Sequence, residues 1–165
     1  MSLSDLPVLI VDDDEFQRRM IRIKLQTRGH EVNEAKDGIE ALEFLEHQDY
    51  SAVLLDIVMP QLNGWEVLDQ IRSRYSREAL PVIMMTARDT EYDAEAAICR
   101  GANDYLTKPI DFAALDQRID TCTANAASAA EAEATAALAD AAEDTHRDLL
   151  PHVAEQSLAM LDSLL

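Results

Sequence analysis

The sequence lacks most features of secreted, membrane-spanning or nucleic-acid-binding proteins. Its two cysteines, Cys99 and Cys122, are too few for a disulfide framework, and we expect both to be small buried hydrophobic residues in a reduced, cytoplasmic protein. No apolar run approaches the roughly 20 residues that span a bilayer, and no signal-peptide pattern opens the chain. Only 14 basic residues accompany 32 acidic ones. The net charge of −18 disfavours a broad surface for nucleic acid or an anionic membrane.

Aromatic residues are also scarce, at 5% of the chain, so the core must depend on Val, Ile, Leu, Met and Ala. Glycine and proline lie mainly in the first two thirds, where short apolar runs alternate with longer amphipathic ones. The pattern predicts strands over residues 7–11, 30–35, 52–56, 82–85 and 105–106, of which the first and the third are typical of buried strands. The amphipathic segments predict helices over residues 16–28, 38–48, 63–75 and 90–100, and from 112 onward.

The strands are continuously apolar, which is typical of a parallel sheet covered by helices on both faces. Five successive βα units predict an α/β fold with a doubly wound, five-stranded parallel sheet of flavodoxin-like order 2-1-3-4-5. We assign residues 1–120 to this domain and residues 121–165 to an α-helical C-terminal extension. Folds of this kind place their sites at the carboxyl ends of the strands.

The extension differs in composition, since 12 of the 21 residues from Cys122 to Ala142 are alanine. Residues 119–165 also hold nine acidic residues and one basic residue. Alanine is the strongest helix former, so we predict that the fifth helix continues to about Leu150, with a kink at Pro151 and a short last helix. This acidic helix is a linker or a dimerisation element. A weak 3-4 seam for a homodimer is formed by Phe112, Leu115, Ile119, Cys122, Ala126 and Ala129.

Polar side chains end four of the predicted strands. Asp12 and Asp13 follow the first strand, Asp56 ends the third, Thr86 the fourth, and Lys108 follows the fifth. Because strands 1 and 3 are neighbours in the predicted order, the three carboxylates converge and repel one another unless a cation is bound. Their hard oxygen ligands suit Mg²⁺ or Mn²⁺. A carboxylate, a divalent metal, a lysine and a hydroxyl together indicate phosphoryl transfer through an aspartyl phosphate.

These residues resemble the receiver domain of bacterial two-component response regulators, in particular the chemotaxis receivers. The resemblance covers about residues 6–120. Each motif alone is weak evidence, but all four occur in order at the ends of predicted strands. The segments are Val11-Asp12-Asp13-Asp14, Leu55-Asp56-Ile57-Val58-Met59-Pro60 with Gly64, Met85-Thr86-Ala87, and Gly101-Ala102-Asn103-Asp104-Tyr105-Leu106-Thr107-Lys108-Pro109.

The resemblance implies a phosphoacceptor site. Asp56 would accept a phosphoryl group from a sensor histidine kinase or a phosphotransfer protein. Mg²⁺ would be held by Asp13 directly, by Asp12 largely through water, by Asp56, and by the backbone carbonyl of Val58. Lys108 would pair with the phosphoryl oxygens.

The resemblance also implies a switch. Thr86 and the backbone of Ala87 would bind the phosphoryl group, and Tyr105 would swing into the space that Thr86 leaves. The Lys108-Pro109 peptide would be cis. The face of helix 4, strand 5 and helix 5, with the C-terminal helix, would then contact a downstream protein, an output domain absent from this chain, or a second copy.

The resemblance also implies that Val58 and Arg88 occupy two positions near the acceptor that differ among receivers and tune phosphate loss. Valine has no polar group to orient an attacking water, so we predict slow self-dephosphorylation. We expect no enzymatic activity beyond self-phosphorylation and self-dephosphorylation, and no direct contact with nucleic acid or a membrane.

Two alternatives remain at this point. A degenerate receiver would act as a phosphorylation-independent binding module, but it would be expected to lack the acceptor, a metal acid or the lysine. A phosphatase of the haloacid dehalogenase type also uses an aspartyl nucleophile on a doubly wound sheet. Its Asp-x-Asp-x-Thr/Val motif is only partly matched by Asp12 to Phe16.

Overall fold

The computed structural model describes residues 3–87 and 91–162, with side chains described over 4–87 and 93–141. Within these residues, five strands alternate with five helices after a short 3₁₀ turn at Leu3–Asp5. The strands are β1 (Val8–Val11), β2 (Val32–Ala35), β3 (Ala52–Asp56), β4 (Val82–Thr86) and β5 (Asp104–Thr107). The helices are α1 (Glu15–Thr27), α2 (Gly38–His47), α3 (Gly64–Arg72), α4 (Glu91–Cys99) and α5 (Phe112–Asp162).

The strands form one sheet of order β2-β1-β3-β4-β5, in which every neighbouring pair is parallel. This confirms the predicted doubly wound α/β fold. Val11 stands opposite Leu55, and Asp56 stands opposite Met85. The carboxyl ends of β1, β3 and β4 therefore lie side by side at one edge of the sheet.

The three central strands are buried on both faces of the sheet, which explains why they are almost continuously apolar, whereas the edge strands β2 and β5 are mostly half-buried. All residues of β1, β3 and β4 are buried. On one face, Leu9, Val53 and Met84 join a cluster with residues of α2, α3 and α4. On the other face, Ile10 and Ile83 join a second cluster with residues of α1 and α5. Two hydrophobic layers thus fix the sheet between its helices.

Helix α1 packs differently from what its most regular apolar stripe suggests. Phe16, Met20 and Ile23 recur at helical spacing, yet their exposed fractions are 72%, 38% and 47%. Ile21 and Leu25 form its buried face. The chain therefore leaves an apolar stripe of α1 in solvent, close to the carboxyl edge of the sheet.

Side chains that satisfy backbone N–H groups start four of the helices. Asp111 does so for α5, by accepting hydrogen bonds from Ala113 and Ala114. Asp14 accepts hydrogen bonds from the second and third residues of α1, and Asp37 accepts one from Glu40 in α2. Asn63 and Glu66 form a reciprocal capping box at the start of α3. These caps place the amino ends of α1 and α3 beside the ends of β1 and β3.

Helix α3 ends at Arg72, before the predicted end near residue 75, because the following chain wraps around the Arg72 guanidinium. Burial lowers the pKa of this guanidinium to about 10. The group donates hydrogen bonds to four backbone carbonyls and to one side-chain amide oxygen. These acceptors belong to Gly101 at 2.6 Å, Leu80 at 3.0 Å, Tyr75 and Ser76 at 3.3 Å, and Asn103 at 2.9 Å.

The chain divides into two compact units, residues 1–128 and residues 129–165. Helix α5 is continuous to Asp162, so the predicted separate last helix is not present. Among the described residues, no helix combines the length and apolar character of a membrane span.

The first part of α5 belongs to the core of the first unit. Four of the six residues of the predicted dimer seam are buried within this unit, so they are not available to a second copy. The buried members are Leu115, Ile119, Cys122 and Ala126. By contrast, residues 130–141 are all exposed.

The two cysteines have different environments. Cys122 is buried, as predicted, whereas Cys99 at the end of α4 is exposed. The prediction for Cys99 was wrong because it relied on the apolar, alanine-rich context of α4. Of the α4 side chains that the structure describes, residues 93–99, only Ala97 is fully buried.

Candidate functional site

The carboxyl ends of β1 and β3 bring three aspartates together. Asp12, Asp13 and Asp56 each offer a carboxylate oxygen, and these oxygens lie within 4.8 Å of one another. Asp12 is 0% exposed and Asp56 is 5% exposed, whereas Asp13 faces solvent. The convergence predicted from the strand order is therefore present, with one side of the cluster open to water.

Lys108 is the cation that faces this cluster. Its Nζ lies 2.8 Å from Asp12 Oδ2 and 3.2 Å from Asp56 Oδ2. Burial disfavours the charged form, but the hydrogen bond to Asp12 and the charge of Asp56 outweigh it and raise the pKa of Lys108. The Lys108-Pro109 peptide is cis, as the resemblance implied.

The environment of the cluster disfavours ionisation of Asp56. Burial, followed by the negative charge of Asp12, raises the pKa of Asp56 to about 6, although Lys108 partly opposes the shift. Three carboxylates and one ammonium carry a formal charge of −2 when all are ionised. A divalent cation would cancel this charge.

The donor set fits Mg²⁺. Three carboxylates provide hard oxygen ligands, and Mg²⁺ prefers to keep several waters beside a few such ligands. The exposed Asp13 carboxylate makes no hydrogen bond to another described residue, which leaves its oxygens available to a cation. Ordered water can also reach the cluster from this side.

Thr86 ends β4 at the same edge and is 1% exposed, and its carbonyl accepts a hydrogen bond from the N–H of Lys108 at 2.7 Å. Tyr105 on β5 is partly buried against the first hydrophobic cluster. Ala87 follows Thr86 and is exposed. Of the two predicted switch residues, Thr86 thus lies at the edge of the site and Tyr105 lies on the neighbouring strand.

Val58 follows the candidate acceptor and is 61% exposed. It contributes to a cleft of about 240 Å³ next to Thr86. Arg88, the second predicted tuning position, and Thr90, the predicted start of the fourth helix, lie outside the described residues. The cleft is lined by Ile57, Val58, Met59, Asn63, Trp65, Thr86 and Asp93.

Gly64 has a steric role that the motif alone did not explain. A Cβ atom at this position would lie 2.2 Å from the carbonyl oxygen of Asp56. The Gly64 N–H also donates to the carbonyl of Ile57 at 2.8 Å. A glycine therefore allows α3 to begin directly against the backbone of the candidate acceptor.

Sequence reasoning missed Arg18 on α1. Its Nη1 donates a hydrogen bond to the backbone carbonyl of Asp12 at 2.7 Å. A signal was present, because four of the 14 basic residues of this acidic chain lie within the 13 residues of α1. The pattern did not show which of these four would turn toward the site.

The geometry agrees with comparison to known proteins. Residues 8–120 match the response regulator receiver domain family. The chain belongs to this family, whose members are the receivers of two-component systems, and this decides against the haloacid dehalogenase alternative.

Among similar proteins is the response regulator MprA of a Mycobacterium species (strain KMS), which is 42% identical over 102 residues, or 62% of this chain and 44% of that protein. The receiver domain of a Francisella response regulator superposes with a TM-score of 0.67 at 30% identity, covering 72% of this chain and 96% of that one. The chemotaxis protein CheY4 of Vibrio cholerae gives 0.66 at 28% identity, covering 71% and 98%. The chain spans less than half of the mycobacterial regulators that it matches.

Proposed function

We propose that this chain is a phosphorylation-controlled receiver in which Asp56 accepts a phosphoryl group in the presence of Mg²⁺. One observation carries the proposal. The buried Asp56 carboxylate lies among two further aspartates and the Lys108 ammonium at the carboxyl edge of the sheet. A degenerate receiver would be expected to lack at least one of these groups, and all of them converge here.

The chemical step is a transfer from a phosphohistidine of a sensor kinase or phosphotransfer protein. A carboxylate oxygen of Asp56 attacks the phosphorus atom, so that a P–O bond forms and the P–N bond breaks. The histidine nitrogen keeps the electron pair of that bond and takes up a proton. Lys108, which lies 3.2 Å from the attacking carboxylate, stabilises the negative charge of the transferred group.

Asp12, Asp13 and Asp56 would hold the Mg²⁺, together with the backbone carbonyl of Val58. The ion, when bound, supplies positive charge opposite the phosphoryl oxygens. The protein itself contributes two fixed buried carboxylates and one solvent-facing carboxylate. Gly64 lets the start of α3 lie directly against the backbone of Asp56.

The phosphoryl group adds roughly −1.5 to −2 charge and three acceptor oxygens. We infer that Thr86 and the Ala87 backbone bind these oxygens and that Tyr105 moves inward. The resulting repacking reaches the surface of α4, β5 and α5. This surface, continued by the C-terminal helix, controls a downstream protein, an output domain or a second copy of the chain.

The phosphodonor protein would dock next to the acceptor. Phe16, Met20 and Ile23 form an exposed apolar stripe on α1. Phe16 and Met20 also border a groove with Pro109 and Ile110 of the loop after β5. A helix of the donor that covered this stripe would bring its phosphohistidine to the carboxyl edge of the sheet.

We propose no turnover of an external substrate. Asp56 is modified and later loses the phosphoryl group by hydrolysis, which Val58 does not accelerate because it offers no hydrogen bond to an attacking water. The expected outcome is a long-lived phosphoprotein. A half-life of seconds would contradict this part of the proposal.

Intact mass after incubation with Mg²⁺ and acetyl phosphate tests the proposal. We expect a gain of one phosphoryl group in the natural chain and none in Asp56→Asn, which keeps the size of the side chain but removes the nucleophile. Chelation of the metal should abolish the gain. If Asp56→Asn gains the same mass, the acceptor is another residue. If the natural chain gains nothing from acetyl phosphate or from a phosphorylated histidine protein, the chain is a binding module.

A further inference from the structure

The β1–α1 turn, residues 12–14, is held by a side chain that touches no reacting group. Arg18 lies one turn into α1, and its side chain is only 14% exposed. Its Nη1 donates to the backbone carbonyl of Asp12 at 2.7 Å. The guanidinium thus contacts the backbone of Asp12 and not one of the carboxylates of the acid cluster.

The other polar groups of Asp12 have different partners. Its N–H donates to Ala35 at 3.3 Å. Oδ1 accepts from the N–H of Asp14 at 2.9 Å, and Oδ2 accepts from Lys108 at 2.8 Å. These contacts fix the amide and the side chain of Asp12 but not the peptide unit that follows it.

That peptide unit determines where Asp13 points. The carbonyl of Asp12 and the nitrogen and Cα of Asp13 lie in one plane, so a bond to this carbonyl restricts rotation of the whole unit. The Asp13 carboxylate has no hydrogen-bond partner among the described residues. We propose that Arg18 is a positioning residue that directs the Asp13 carboxylate into the metal site. This inference rests on the proposed Mg²⁺-dependent function.

Arg18 is itself held in place by an acidic residue of β2. Glu34 Oε1 lies 3.7 Å from Arg18 Nε, and Glu34 Oε2 lies 2.6 Å from Arg22 Nη1. Arg18 Nε is buried and has no hydrogen-bond partner in the described structure. The charge of Glu34 therefore stabilises a guanidinium whose one hydrogen bond among the described residues is to the Asp12 carbonyl.

Removal of Arg18 can tighten or weaken metal binding, and the direction of the change distinguishes a positioning role from a purely electrostatic one. Arg18 is a cation beside a cation site, so its removal should tighten metal binding if only Coulomb repulsion mattered. If Arg18 orients Asp13, its removal should weaken binding. Loss of a partner that orients a metal ligand typically weakens affinity by 10–100-fold.

The experiment measures Mn²⁺ binding to the full chain by the electron paramagnetic resonance signal of the free ion. Arg18→Met removes the donor, and Arg19→Met is the matched control because it removes the same charge from an exposed neighbouring position. We expect Arg18→Met to raise the dissociation constant about tenfold relative to Arg19→Met. Arg18→Lys, which keeps a cationic donor, should recover part of the loss.

Phosphorylation by acetyl phosphate gives a second readout. The half-saturating Mg²⁺ concentration should rise about tenfold in Arg18→Met, while the maximal rate at saturating Mg²⁺ changes little. A general loss of structure would lower the maximal rate and the unfolding midpoint. Should Arg18→Met fail to fold, Glu34→Gln tests the same arrangement, and we expect it to weaken Mn²⁺ binding because Arg18 loses its ionic partner.

The inference is overturned if Arg18→Met binds Mn²⁺ as tightly as Arg19→Met, or if Glu34→Gln binds like the natural chain when Arg18→Met does not fold. In both cases the natural chain still binds the ion, so the proposed function survives. Failure of the natural chain to bind Mn²⁺ or Mg²⁺ overturns the proposed function and this inference together.

Discussion

Two parts of one helix, α5, show what packing adds to helix propensity. Residues 112–126 bury Leu115 and Ile119 completely beneath the sheet. Residues 130–141 have a sequence that is at least as favourable for a helix, yet they are exposed throughout. Burying a leucine or isoleucine contributes about 1.5–3 kcal/mol, whereas alanine offers little area to bury. Composition makes both parts helical, but only the first part holds the receiver together.

The largest expected effect comes from a matched pair of substitutions in these two parts. Ile119→Ala removes a side chain that is 0% exposed, and we expect it to lower the free energy of unfolding by about 2–4 kcal/mol. Leu138→Ala removes one that is 73% exposed, and we expect a change below about 0.5 kcal/mol. Urea unfolding followed by circular dichroism measures both. Equal losses would show that residues 130–141 are packed in solution.

A smaller effect is expected at the candidate site, where the packed unit holds like charges together. The pKa of Asp56 is raised to about 6 by burial and by Asp12. Since the folded protein binds this proton more tightly than the unfolded chain, the metal-free protein should lose stability as the pH rises from about 4 through about 6. Asp56→Asn removes this loss, and we expect it to stabilise the metal-free protein at pH 7.5 by about 1–2 kcal/mol.

Unfolding of both proteins in the presence of a chelator, at several pH values between 4 and 8, measures this difference. The gain should be confined to the upper part of the range, because Asp56 is protonated and uncharged at low pH. An Asp56→Asn protein that is less stable than the natural chain at pH 7.5 would show that Asp56 stabilises the fold through Lys108. The exposed Glu131→Gln is the control, and its stability should stay within about 0.5 kcal/mol.

The smallest expected effect needs no substitution: it is the difference in reactivity between the two thiols, Cys99 and Cys122. Cys122 is buried in the first unit, and burial, followed by the charge of Asp104, raises its pKa to about 11. At pH 8, only about one Cys122 thiol in a thousand is therefore ionised. We expect Ellman's reagent to modify the exposed Cys99 at least about a hundredfold faster. Equal rates would indicate that the packing of α5 against the sheet opens readily.

Much of the fold was predictable because the sheet is buried on both faces, which leaves a clear signal in the sequence. Strands such as Val8–Val11 read as short apolar runs bounded by polar residues. The face of α1 was less predictable, since Phe16, Met20 and Ile23 look like a core stripe but are exposed. Helical spacing identifies a helix, whereas the direction of its apolar stripe depends on neighbours far away in the chain.

The candidate site was likewise predictable only in part. Asp12, Asp13, Asp56 and Lys108 were expected together because the order of parallel strands brings their carboxyl ends to one edge, and the structure places them there. Arg18 was missed because it acts on a main-chain carbonyl, which any residue type provides. Contacts of this kind leave no pattern in the sequence around their acceptor.

The Arg72 arrangement has a consequence for how the protein tolerates mutation. Four of the five acceptors around its guanidinium are main-chain carbonyls, at residues 75, 76, 80 and 101. Substituting an exposed residue of this set, such as Ser76, leaves its carbonyl in place, so the hydrogen bond to Arg72 does not depend on the side chain at that position. Arginine itself has no such freedom, because a lysine at position 72 offers three donors in place of five. In a mutational scan, intolerance should therefore concentrate at Arg72 and at Asn103, whose side chain is the one acceptor that a substitution can remove. Gly101 should also be intolerant, because its φ is +106° and a Cβ atom there would lie 3.0 Å from the Arg72 side chain.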